Sequence, residues 1–225
     1  MSGRRDEILK ELGLWPQWRL RAGNENSGAA GAAGDRRARI LQMDWRELKA
    51  CVAACQDCPL HEKRTQSVFG VGDEKADWLF IGEGPGAEED AKGEPFVGQA
   101  GKLLDSMLAA IELKRGANVY IANVVKCRPP ENRNPEPHEA QQCEPYLERQ
   151  IALIEPRLIV ALGKVAVQNL LNTDATISSL RGRLHRYRDI PLIVTYHPAY
   201  LLRNLPDKAK AWADLCFARK TMREL

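Results

Sequence analysis

The residues of this chain whose types and spacing can do chemistry are a set of cysteines, one acidic glycine-rich loop, and single polar or aromatic side chains at the ends of apolar runs. Cys55 and Cys58, with two residues between them, have the bite of a chelating loop, and Cys127 and Cys143 follow much later with fifteen residues between them. Thiols in a reducing compartment divide among metal binding, catalysis and burial. Four thiolates suit tetrahedral zinc or an iron–sulfur cluster. A zinc ribbon usually offers two tight pairs. Here one pair is tight and the other spreads from a proline-rich loop into a helical pattern, which suits a bulky cubane better than one ion. Cys51 is a substitute ligand, and Cys216, between Leu215 and Phe217, is expected in the core.

The stretch "FIGEGPGAEEDAKGEPFVGQAGKLL", residues 80–104, resembles a phosphate cradle only superficially. A Walker loop needs a lysine followed by serine or threonine, but Leu103 follows Lys102. A Rossmann turn runs directly into its helix, whereas Glu88, Glu89 and Asp90 come next and would repel a pyrophosphate. The loop therefore serves another ligand. Within it Phe96 sits among glycines, away from any apolar periodicity, as a core plug or as a platform for a flat ligand.

Asn123, inside "YIANVVKCRPP", places an amide in an apolar run, where its donor and acceptor must both be met. It bonds to neighbouring backbone or reads a ligand offering a donor beside an acceptor. His197, in "TYHPAYLLRN", precedes a proline that favours extended backbone and so fixes the direction of the ring. Basic residues collect in loops: Lys126, Arg128 and Arg133; Arg181, Arg183, His185, Arg186 and Arg188; and Arg203. On loops at one sheet edge they would suit a phosphate backbone.

These residues need elements to hold them. Apolar runs at 77–83, 118–126, 157–163 and 191–197 read as strands, and helical spacing fills 98–113, 137–155, the "KVAVQNLL" segment and the carboxyl-terminal stretch. Alternation of this kind predicts a three-layer α/β/α fold around a central four-stranded, mainly parallel sheet. In such sheets ligands lie beyond the carboxyl ends of the strands. Gly82 to Gly86, Asn123 to Cys127, Gly163 to Lys164 and His197 to Pro198 all fall there.

At 225 residues the chain is long enough for one good core with an appendage. A net charge of +3 does not announce a nucleic-acid binder by itself. No run approaches the roughly 18 apolar residues of a membrane span, and the amino terminus lacks the pattern of a secretion signal. A cytoplasmic protein is expected. Residues 1–21 read as an amphipathic helix or tail with a possible protein partner, 22–42 as a Gly/Ala-rich linker, and 43–225 as the catalytic-size domain.

Taken together, "GEGPGAEEDAKGEPFVGQAG", "NVVKCRPPENRNP", "HPAYLLRN" and the four spaced cysteines resemble family 4 uracil-DNA glycosylases over roughly residues 50 to 205. The resemblance implies a [4Fe–4S] cluster on Cys55, Cys58, Cys127 and Cys143. It implies a monomer that flips uracil out of single- or double-stranded DNA and hydrolyses its N-glycosidic bond, leaving an abasic site for base excision repair. It sets Gly82, Glu83 and Gly84 against uracil, with Phe96 stacked on the base. Asn123 pairs with the O4 and N3 edge, and His197 with O2. Tyr200 or Leu201 wedges into the vacated space, Arg203 holds phosphate, and Lys126 and Arg128 face DNA. Glu83 is expected to orient water or to stabilise the sugar cation. A related branch traps the sugar through a histidine in an insertion after the second motif; "CRPPENRNP" runs straight into its helix, which excludes that variant. The rival readings are a non-catalytic iron–sulfur module that binds damaged DNA and a metal-bearing scaffold.

Overall fold

Three runs of five residues, Trp78–Gly82 (β2), Val119–Asn123 (β3) and Leu158–Leu162 (β4), are buried at every position. A strand wetted on one face alternates, so strands buried throughout belong in the middle of a sheet covered on both sides. In the computed structural model they form that centre with Ile190–Thr195 (β6), while Val71–Gly72 (β1) and Leu184–Tyr187 (β5) lie outside them. The order is β1-β3-β2-β4-β6-β5. The four central strands are mutually parallel and both edge strands pair antiparallel. The sheet thus has six strands where four were expected. The four predicted ones are its parallel centre; the other two are a two-residue strand and the short sequence Leu-His-Arg-Tyr, neither of which carries a core pattern.

The structure describes Glu11 and residues 35–225; the expected tail and most of the linker lie outside them. The chain divides into two units, Met1–Ala38 and Arg39–Leu225, and the sheet belongs to the second. Residues 35–40 are helical, and Ile40 is fully buried.

The helices of the second unit are Trp45–Ala54 (α1), Ala87–Lys92 (α2), Gln99–Ala110 (α3), Pro137–Ile154 (α4), Lys164–Leu171 (α5), Ile177–Leu180 (α6), Pro198–Arg203 (α7) and Lys208–Glu224 (α8). Their starts follow local chemistry. Asp44 caps α1 in a reciprocal box with Glu47, and α4 opens on Pro137, where a missing N–H costs nothing. Packing of α5 and α8 on β4, and of α1 on α4, closes the layers around the sheet.

Parallel pairing sends Gly82, Asn123, Leu162 and Thr195 to one end of the sheet. The β5–β6 hairpin reverses direction, so Arg188 turns at the opposite end.

Candidate active site

Beyond the carboxyl ends of β2, β3, β4 and β6 lies a cleft of about 670 Å³. Its lining draws Glu83, Gly84 and Glu89 from the segment after β2, Asn123 from β3, Gly163 and Lys164 from the β4–α5 turn, and His197, Tyr200 and Arg203 from the segment after β6. Phe96 joins them from the loop between α2 and α3. Size and position match a ligand crevice of an open α/β sheet.

Close approach governs the floor of this cleft. A Cβ on Gly82 would stand 2.5 Å from Phe96 Cζ and 2.6 Å from Asn123 Oδ1. Only glycine lets the ring and the amide meet there. Asn123 is 2% exposed and its Oδ1 has no hydrogen-bond partner. An orphaned buried acceptor costs about 1–3 kcal/mol, a cost that a donor entering the cleft would relieve. Its main chain is fixed, because Val124 and Val125 donate to the carbonyls of Gly82 and Glu83 and prolong the β2–β3 ladder past the strand ends.

His197 is oriented by the helix it begins. Its Nδ1 accepts the backbone N–H of Ala199 at 3.1 Å, as the N-cap of α7. The accepting nitrogen carries no proton, so the neutral ring is protonated on Nε2 and donates from there. The ring opens onto the cleft yet is crowded by protein. Burial, with the nearby Arg203 charge adding to it, lowers its pKa to about 4, while Glu89 opposes the shift. At neutral pH it is a neutral donor. Its centroid lies 5.4 Å from that of Phe96, tilted by 32°. Gly163 makes room beside it, with φ +87° and a Cβ position only 2.6 Å from His197 Cβ.

Two acids differ in their roles. Burial raises the pKa of Glu83, and among the described residues no hydrogen bond or ion pair holds its carboxylate. Glu89, by contrast, is committed: Oε1 accepts from Val97 and Gly98 and Oε2 from Gly86. It ties the loop after β2 to the segment carrying Phe96, a brace that its place in an acidic run did not reveal. Asp90 is also a brace, accepting the Thr65 N–H at 2.9 Å.

Cys55, Cys58, Cys127 and Cys143 line one small cleft between the α1–β1 segment, the loop after β3, and α4. The Arg64 guanidinium donates to Cys127 Sγ at 2.9 Å and the Lys126 N–H to Cys143 Sγ at 3.3 Å. Burial pushes the Cys143 thiol up to about 12 and raises the other three. The bare set is neutral; a cation among them would turn it to thiolate. Among the described residues no group of three or more His, Cys, Asp or Glu closes on a metal ion. The thiols surround a cleft rather than a point. Cys51 lies outside it, 3.5 Å from Tyr146 Oη, and Cys216 is exposed rather than in the core.

The expected DNA contacts divide. Arg203 is exposed and lines the cleft; Arg128 is half-exposed and bonds Asn132. Tyr200 lines the cleft, stacks on Tyr196 at 5.1 Å and donates its hydroxyl to Asp207. Lys126 does not face DNA. It is 1% exposed, and its ammonium donates inward to the Asn123 carbonyl at 2.8 Å and to Gln150 Oε1 at 2.6 Å. Leu201 is likewise 1% exposed, held in the core under α7, whereas Leu202 is 41% exposed. Arg181 and Arg188 are bound to Asp214 and Glu148. The basic loops therefore do not form one phosphate track.

Fold and site together define an α/β protein whose crevice, beyond the carboxyl ends of the parallel strands, is lined by a buried amide, an aromatic ring and a neutral imidazole. The model of the uracil DNA glycosylase superfamily matches residues 69–216, and the chain belongs to that family. It is 48% identical to the type-4 uracil-DNA glycosylase of Archaeoglobus fulgidus over 159 residues, 67% of this chain and 79% of the relative. It is 41% identical to that of Pyrobaculum aerophilum over 181 residues, 77% of this chain and 92% of the relative. For that of Thermotoga maritima identity is 43% over 170 residues, 75% and 86% of the two chains.

Proposed function

We propose that this chain is a DNA repair glycosylase that extrudes uracil from DNA and hydrolyses the bond between its N1 and the deoxyribose C1′. The observation that carries this reading is the unpartnered Asn123 Oδ1 on the cleft floor. Uracil presents a donor at N3 beside an acceptor at O4, which the two ends of one amide satisfy together. Cytosine reverses that order at the same edge, so a fixed amide discriminates.

As the glycosidic bond breaks, its electron pair passes to the base and charge gathers on O2. The His197 Nε2–H donates to that oxygen, a preorganised contact worth about 3 kcal/mol in comparable oxyanion sites. Phe96 covers the face of the ring. Glu83 faces the sugar: its carboxylate stabilises the cation at C1′ and orients the water whose oxygen bonds there. The proton that the water releases neutralises the uracil anion, so the products are free uracil and an abasic sugar.

Reaching the base requires flipping it from the stack. Leu202, exposed on the helix that also presents Tyr200 and Arg203, is the apolar side chain placed to fill the gap. Leu201 would have to leave the core to do so.

Cys55, Cys58, Cys127 and Cys143 hold a [4Fe–4S] cluster. A donor set of two buried and two half-buried thiols around a cleft suits a multi-iron group better than one zinc ion. Held there, it would contribute structure, because its four ligands come from the end of α1, the loop after β3 and α4.

The test is chromatographic. Protein incubated with an oligonucleotide bearing one uracil releases free uracil, and strands with cytosine or thymine there release no base. Tight binding to the uracil strand without release would make it a recognition module.

A further inference from the structure

We infer that Arg115 is a positioning residue for the stacking ring, holding the Phe96 backbone so that the ring lies over the base. The inference rests on the reading of Phe96 as the stacking platform. Arg115 stands in the turn after α3 and does not line the cleft. Its Nη1 donates to the Pro95 carbonyl at 2.8 Å and its Nη2 to the Phe96 carbonyl at 2.8 Å. Nε donates to Asp105 Oδ1 at 3.0 Å, which anchors the guanidinium from behind. A planar fork can grip two successive carbonyls in a fixed geometry; an ammonium cannot.

Phe96 needs such a grip. Its φ is +56°, in the left-handed region that residues bearing a Cβ avoid and that persists only where surroundings enforce it. The residue lies between α2 and α3, so no helix or strand of its own sets that conformation. Three contacts converge on this peptide instead. Arg115 holds the carbonyl, Glu89 takes the N–H groups of Val97 and Gly98, and α3 presses Gly101 so close that a Cβ there would be 1.8 Å from the Phe96 oxygen. Without the guanidinium, both carbonyls lose their donor and φ relaxes. The ring then tilts away from Gly82 and His197, against which it is packed.

A double-mutant cycle tests this, using single-turnover uracil excision by the full chain. Arg115→Ala slows excision roughly tenfold or more when Phe96 is present, as a small misplacement of a positioned group does. In the Phe96→Ala background the same change alters the rate less than about twofold, because its action passes through the missing ring. Arg115→Lys keeps the charge and shows the same pattern, which preserves the test if the alanine variant folds poorly. Inhibition by free uracil weakens in parallel. Equal losses in both backgrounds, or a wild-type rate for Arg115→Ala and Arg115→Lys, would overturn the inference while leaving the stacking reading intact. A wild-type rate for Phe96→Ala would instead sink the stacking reading, and this inference with it.

Discussion

At the scale of residues, catalysis depends on protonation states that burial sets. Because Ala199 donates to His197 Nδ1 and the pKa falls to about 4, the imidazole stays neutral across the ordinary working range. Nitrogen NMR of the ring should report the Nε2–H tautomer with no titration between about pH 5.5 and 8. A transition near pH 6.5 would contradict the account. The sign for stability follows. The unfolded chain binds this proton near 6.5 and the folded chain near 4, so His197 makes stability fall as pH drops through that window. Replacing His197 with asparagine should flatten that slope and slow excision by roughly 10²- to 10³-fold. For Glu83 the shift is upward, so the acid limb of the rate lies above the usual carboxylate range if its ionised form acts. Glu83→Gln should remove that limb, which a pH–rate profile would show. Asn123, Phe96 and His197 stood out as candidates in the sequence because each breaks a local rule: an amide in an apolar run, a ring among glycines, a histidine fixed by proline; the structure sets all three on one cleft. Lys126 misled for the same kind of reason. A lysine in a proline-rich loop reads as solvated, and nothing local announces that Gln150 and the Asn123 carbonyl wait beneath it.

Among elements, the loops are held less by their own sequence than by neighbours far along the chain. The strands β2, β3, β4 and β6 could be read because they are mostly apolar, and their parallel order fixed which ends meet. The edge strands could not. β1 has two residues, and β5 mixes His185 and Arg186 into a strand whose pairing comes from β6. Glu89 and Arg115 were hidden for a related reason: their partners are backbone groups, which carry no residue identity. Of the glycines that sit close to a neighbour, Gly101 of α3 comes nearest, against Phe96. Gly101→Ala would force its Cβ to 1.8 Å from the Phe96 oxygen unless the helix or the loop moves. Moving either should cost roughly 1–3 kcal/mol in an overpacked site. The variant should fold with a lowered Tm and a large loss of excision, measured by denaturation and single-turnover rate. Wild-type excision would mean the loop is not poised by α3.

For the molecule as a whole, two sites share one loop. Asn123 ends β3 on the cleft floor, and Cys127 follows four residues later in the second cleft, with buried Lys126 between them. On the proposal that the four thiols hold a cluster, Cys143→Ser should lose its brown colour and lower Tm by roughly 10 °C or more, since metal binding is folding free energy. Uracil excision should fall with it, as the β3 loop loosens. Among the described residues no helix is long and apolar enough to cross a membrane. The measurement that bears most directly on the central claim is single-turnover cleavage of a uracil oligonucleotide by wild-type and Asn123→Ala protein side by side, read as alkali-labile breaks. The account predicts rapid breakage by the wild type and a loss of about 10²-fold or more in the variant, because a site built to hydrogen-bond its substrate fails without that bond. Equal rates for the two proteins would contradict it, since the unpartnered amide on the cleft floor would then not be what reads the base.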